Sequence, residues 1–133
     1  MNTNYCIRNL LRLICLLQEN SNNRNCLEDG CVKPYLGPAI SERCYNTRII
    51  TLYNKDGSIF STSYLDDNGN TQISSLFRVQ EVFDNCVTLL ILREENGTYF
   101  STRQTITIRL NCICAVKCIT DTNIDKSLGR EGF

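Results

Sequence analysis

The stretch Ile106-Thr107-Ile108-Arg109-Leu110-Asn111-Cys112-Ile113-Cys114-Ala115-Val116-Lys117-Cys118 decides the fold. Every second residue from Ile106 is apolar or sulfur-bearing, and the other parity carries Thr107, Arg109, Asn111 and Lys117. Period two places alternate side chains on opposite faces of a strand. The run is too long for one straight strand, so a bend or bulge is expected near Asn111. If the strand were regular, Cys112, Cys114 and Cys118 would share a face with Ile106, Ile108 and Leu110. Neighbours two apart on that face sit ~6.5–7 Å apart with parallel Cβ vectors, which disfavours a disulfide between them. They would bond to another strand, the helix or another molecule, or stay buried and inert, as free cysteine commonly does.

Working back towards the N-terminus, strand signals continue. Glu95-Asn96-Gly97 reads as a hairpin turn, and Cys86 to Leu92 is apolar on both faces, as in a central strand. That makes Cys86 a core thiol. Phe77, Val79 and Phe83 alternate with polar residues in a half-buried strand. Thr47–Tyr53 is β-branched, Asn54-Lys55-Asp56-Gly57 is a turn, and Ser58–Leu65 reads as the returning strand of a hairpin. Asp66-Asp67-Asn68-Gly69-Asn70 is a further break; it lacks the ligand spacing of a calcium loop. Cys26, Cys31 and Cys44 lie in turn-rich chain with Gly30, Pro34, Gly37 and Pro38. Residues 4 to 20 read as a helix, with Tyr5, Cys6, Leu10, Leu13, Ile14 and Leu17 at three- and four-residue spacing. It is a core-packing element or an intermolecular arm, and a polar loop from Gln18 ends it. Cys6 and Cys15 are two and a half turns apart and face opposite sides. The expected class is mainly β, a small antiparallel β-sandwich or barrel-like domain with one N-terminal helix. The expected organisation is a helix or arm over 1–25, a cysteine-rich β domain over 26–120 and a polar tail over 121–133.

Composition narrows the chemistry. The 133 residues hold 14 Lys+Arg against 14 Asp+Glu, no His, no Trp and 9 Cys. Zero net charge argues against nucleic acid as a partner and against a polybasic membrane module. It also leaves self-association unopposed by charge repulsion. Without His, Ser-His-Asp and Cys-His catalysis are unavailable, and no carboxylate pair, phosphate loop or nucleophile elbow stands out, so no enzyme is expected. No segment is apolar enough to span a membrane, and Arg8 and Arg12 interrupt the first apolar run, so no signal peptide is expected. Asn96-Gly97-Thr98 is then a turn rather than a glycosylation site. Such a chain is expected to be made where disulfides are rare, yet it is rich in thiols. Those thiols either meet an oxidising environment later or bind metal. A zinc-binding interaction module drawing four ligands from Cys26, Cys31, Cys112, Cys114 and Cys118 is the rival reading, although C-x4-C and C-x-C-x3-C are poor matches to zinc knuckles. No other cofactor is indicated.

Gly30-Cys31-x-x-Pro34-Tyr35-Leu36-Gly37, Asn46-Thr47-Arg48 with Leu52-Tyr53, Phe77-Arg78-Val79-x-x-Val82, Thr88-Leu89 and Leu110-Asn111-Cys112-Ile113-Cys114-Ala115-x-x-Cys118-Ile119 carry a resemblance. Over roughly residues 26 to 124 the chain resembles the CotY/CotZ/ExsY family of cysteine-rich spore coat and exosporium proteins. The resemblance implies a structural protein of the spore surface, made in the mother cell without a signal peptide. Its implied partners are copies of itself, as a homo-oligomeric and typically hexagonal two-dimensional lattice, and other coat or exosporium proteins. It also implies hardening by intermolecular disulfides after synthesis. The cross-linking candidates are Cys6, Cys15, Cys26, Cys31, Cys44, Cys112, Cys114 and Cys118.

Overall fold

The computed structural model describes residues 5–19 and 45–124. Helix α1 (Tyr5–Glu19) is followed by seven strands: β1 (Thr47–Asn54), β2 (Thr62–Leu65), β3 (Thr71–Ser74), β4 (Leu76–Val82), β5 (Cys86–Glu95), β6 (Thr98–Arg109) and β7 (Ile113–Thr122). Five of them form an antiparallel sheet in the order β6-β5-β4-β1-β7, and β2 and β3 form a separate two-stranded hairpin. The mainly-β class with one N-terminal helix therefore holds. Cys26, Cys31 and Cys44 and their turn-rich segment lie outside the described residues.

The expected bend near Asn111 is a 3-10 turn over Leu110–Cys112, and it constrains the shape of the whole sheet. Arg109 pairs with Cys86 on one edge, and Ile113 pairs with Asn54 on the other. Across a flat five-stranded sheet those edges would lie about 19 Å apart. Four steps of chain reach at most about 14 Å, and less through a helical turn. The sheet must therefore curl until its edges meet at this corner. It stops short of a closed barrel, because β6 and β7 share no ladder.

The main core fills this curl. Ile50, Leu52, Phe77, Val79, Val87, Leu89, Leu110 and Ile113 are buried together with Leu11 and Ile14 of α1. Phe60 stacks on Phe77 with ring centroids 5.5 Å apart. A smaller cluster of Ile49, Leu90, Leu92 and Ile124 forms the second core. Alternate residues of β5 thus serve two cores, which is why Cys86 to Leu92 carries so little polarity. The β5–β6 turn is the expected one: Asn96 and Gly97 both adopt positive φ, 52° and 83°. Two consecutive left-handed residues give the twist that matches the flanking strands.

The helix buries Leu11, Ile14, Leu17 and Gln18. Each fully buried aliphatic side chain contributes roughly 1.5–3 kcal/mol, enough to hold the helix down on β4 and β1. The buried stripe includes Leu11 and leaves Cys6 exposed, so it is rotated from the one read in the sequence.

Three further differences have local causes. The β1–β2 hairpin shrinks to one bridge, Tyr53 with Ile59, because the end of the expected strand pairs instead with Thr71–Ser74 across the Asp66–Asn70 turn. Phe83 is exposed, because a bulge between Val79 and Glu81 breaks the alternation of β4. Residues 121–124 are structured: Asp121 and Thr122 pair with Arg48 and Thr47, and Ile124 is buried.

Three side-chain carboxamides act as inserted peptide groups. Gln18 donates to the Val79 carbonyl and accepts from the Arg48 N–H, both at 2.9 Å, bridging β4 and β1 beyond their one paired position, Ile50 with Phe77. Asn46 donates to the Ile124 carbonyl at 2.9 Å and accepts from its N–H at 3.0 Å, prolonging the β1–β7 ladder. Gln104 does the same for Leu65, donating at 2.8 Å and accepting at 3.0 Å, which ties β2 to β6. The neighbouring Arg103 has φ 67° at a register shift in the β5–β6 ladder, the kind of bulge that re-aims adjacent side chains.

Candidate functional site: the thiols

The sulfur atoms divide by environment. Cys6, Cys112 and Cys114 are free and exposed, whereas Cys15 and Cys86 are free and half-buried. Cys118 is disulfide-bonded, with its partner outside the described residues. Cys112, Cys114 and Cys118 do not share a face. The 3-10 turn shifts the parity, so that Leu110 and Ile113 point into the core. A register shift between Tyr53 and Asn54 then returns Val116 and Cys118 to that core. Cys112 and Cys114 bracket the buried Ile113 and both face outward.

Cys15 lies beneath the C-terminal half of α1. Its Sγ is 3.5 Å from the Gln80 carbonyl and 3.8 Å from Glu19 Oε2. Burial foremost, then the Glu19 carboxylate, pushes the thiol up to about 11 from 9.0. A thiol so raised is almost wholly protonated at neutral pH, and the thiolate is the nucleophile. Cys15 is therefore the reverse of an activated cysteine.

Around it lies a polar cluster that the sequence did not announce. Arg78 is buried, donating to Thr47 Oγ1 at 2.9 Å, to the Asn46 carbonyl at 3.0 Å and to Gln80 Oε1. Burial lowers its pKa below the ordinary arginine value. Arg48, 2% exposed, pairs with Asp121 at 2.9 Å. These contacts anchor the start of β1 and offer no open site.

Among the described residues no three metal-ligating side chains converge, and the disulfide-bonded sulfur of Cys118 cannot serve as a thiolate ligand. The depression between the β2–β3 hairpin and the tip of β5–β6 contains no thiol. Arg93 lies over the Phe100 ring at 4.5 Å there and pairs with Glu95 at 3.0 Å. No helix among the described residues is long and apolar enough to cross a membrane.

The family model for spore coat protein Z matches residues 1–100. The chain belongs to this spore coat family. The match takes in the helix, outside the span of the resemblance drawn from sequence. It ends before Leu110–Ile119, where that resemblance is most specific. No curated protein and no solved structure matches the chain. Membership gives the protein a structural role in the spore coat, implies a place at the spore surface and suggests other coat proteins as its neighbours. The family is typically non-enzymatic.

Proposed function

We propose that this spore coat protein assembles with copies of itself into an ordered, hexagonal two-dimensional lattice at the coat or exosporium, and that intermolecular disulfides then harden the layer. In this reading the chain is made in the mother cell, and its exposed free thiols are oxidised only after assembly has set the geometry. The observation that carries this reading is the outward placement of the free thiols Cys6, Cys112 and Cys114 on a packed β domain. Two sheet edges, β6 and β7, also lack a strand partner among the described residues. Unpaired edges favour association between copies. A lattice needs contacts that do not close into a single dimer.

Negative-stain microscopy of the purified protein, with and without reductant, tests the proposal. Sheets or rings that resist boiling in detergent until reductant is added are the expected result. Monodisperse monomer under oxidising conditions would overturn it. About one zinc per chain by elemental analysis, with unfolding by chelator, would support the zinc module instead.

A further inference from the structure

Thiols far apart in sequence are gathered at one end of the molecule. The short β4–β5 turn, where the Phe83 N–H donates to the Cys86 carbonyl at 2.7 Å, is the gathering point. The start of α1 reaches it through Arg8, whose guanidinium donates to the Asp84 carbonyl at 3.4 Å, and through Arg12, 3.4 Å from the Asp84 carboxylate. The corner between β6 and β7 reaches it through the Leu110 N–H, which donates to the Asn85 carbonyl at 2.8 Å. Cys6 lies two residues before Arg8, Cys86 follows Asn85, and Cys112 and Cys114 follow Leu110 within four residues. Phe83, 43% exposed, adds an apolar side chain to the same end. Cys15 is nine residues further along the helix, about 13 Å away along its axis, and half-buried.

We infer that this end is the pole through which copies of the chain are covalently joined, with Cys6, Cys112 and Cys114 as the joining thiols and the half-buried Cys15 and Cys86 taking no part. This rests on the lattice reading above and names the part of the subunit that hardens it. Cys112 and Cys114 are both free and exposed, one on each side of the buried Ile113, and each joins a neighbouring copy rather than the other. With a low-molecular-weight disulfide such as oxidised glutathione as oxidant, the chemistry balances in two exchanges. A pole thiolate attacks the oxidant, forming a mixed disulfide and releasing one glutathione thiolate. A thiolate of the adjoining copy then displaces the second glutathione, leaving one interchain disulfide and two reduced glutathiones.

The test oxidises full-length protein with oxidised glutathione and maps its disulfides by differential alkylation and mass spectrometry. Interchain peptides containing Cys6, Cys112 or Cys114 are expected, with Cys15 and Cys86 alkylated only after denaturation. The triple variant Cys6→Ser/Cys112→Ser/Cys114→Ser should lose at least nine-tenths of the reductant-sensitive multimers and keep the wild-type thermal melt. It should also still form lattices under the microscope. The variant Cys15→Ser should cross-link like wild type. Wild-type cross-linking in the triple variant, interchain disulfides confined to other cysteines, or an intrachain bond among the pole thiols would each overturn the pole. Absence of lattice from wild type would instead overturn the parent reading, whatever the disulfide map shows.

Discussion

The same device, a glutamine carboxamide standing in for a peptide group, fastens the two attachments to the curled sheet, and the two settings are opposites. Gln18, 1% exposed, lies between α1 and the gap where β1 and β4 diverge. Gln104 ties the β2–β3 hairpin to β6 where Leu65 is 56% exposed and water is at hand. The helix also brings Leu11, Ile14 and Leu17 into the core, whereas the hairpin leaves Leu65 and Ile73 largely exposed. The same number of hydrogen bonds at similar lengths therefore should not mean the same energy. A buried backbone group deprived of its partner loses its solvation as well, and an exposed one exchanges one partner for another.

The largest effect should come from the polar frame on the helix side. Asp121→Ala leaves the Arg48 guanidinium, 2% exposed, without this carboxylate. Removing one member of a buried ion pair costs about 3–5 kcal/mol, read as a fall in the urea midpoint. Gln18→Leu keeps the volume but strips both partners from the Arg48 N–H and the Val79 carbonyl. At about 1–3 kcal/mol for each buried unsatisfied group, the two together should cost about 2–6 kcal/mol, offset in part by the apolar side chain that Leu buries. A cost below about 1 kcal/mol would mean that water reaches the gap between β1 and β4, and the contrast between the two attachments would collapse.

A smaller effect should appear in alkali. The folded pKa of Cys15 is raised from 9.0 to about 11, so between those values the unfolded chain loses this proton first. The stabilisation tied to the neutral thiol is fully present below pH 9.0 and is lost as pH rises through about 11. Wild type should lose stability over that interval relative to Cys15→Ser. Native alkylation of Cys15 should stay slow until the upper end of it. Equal pH profiles for the two proteins would show the thiol to be solvated, and the helix less tightly seated than its buried stripe indicates.

These tests fall where the sequence was least readable. Periodicity marked the helix, and alternation with Asn96-Gly97 marked β5 and β6, because apolar spacing and turn chemistry are local. Gln18 read as the start of a polar loop, since nothing local shows that a carboxamide will meet two unpaired backbone groups 30 and 61 residues away. Strand β3 was missed because Thr71-Gln72-Ile73-Ser74 directs its one large apolar side chain outward. The shared face of Cys112, Cys114 and Cys118 assumed a regular strand, and a three-residue 3-10 turn was enough to undo it. Candidate thiols could be counted from the sequence. Their gathering around Asp84 and Asn85 depends on contacts between separate elements, Leu110 to Asn85 and, more than 70 residues apart, Arg8 and Arg12 to Asp84.

The smallest expected change is the most exacting for the comparison. Gln104→Ala removes both hydrogen bonds to Leu65, the same number as at Gln18. Water can satisfy the freed N–H and carbonyl, so the global cost should be below about 1 kcal/mol. What should change is local: the Leu65 amide should exchange with solvent faster, while amides in β4 and β5 keep their protection. The hairpin would then open as a unit of its own, separate from global unfolding. A global loss matching that of Gln18→Leu, with β4 and β5 amides accelerated as well, would show that the hairpin carries as much of the core as the helix does. The size of a carboxamide's contribution would then follow the element it fastens rather than its own burial.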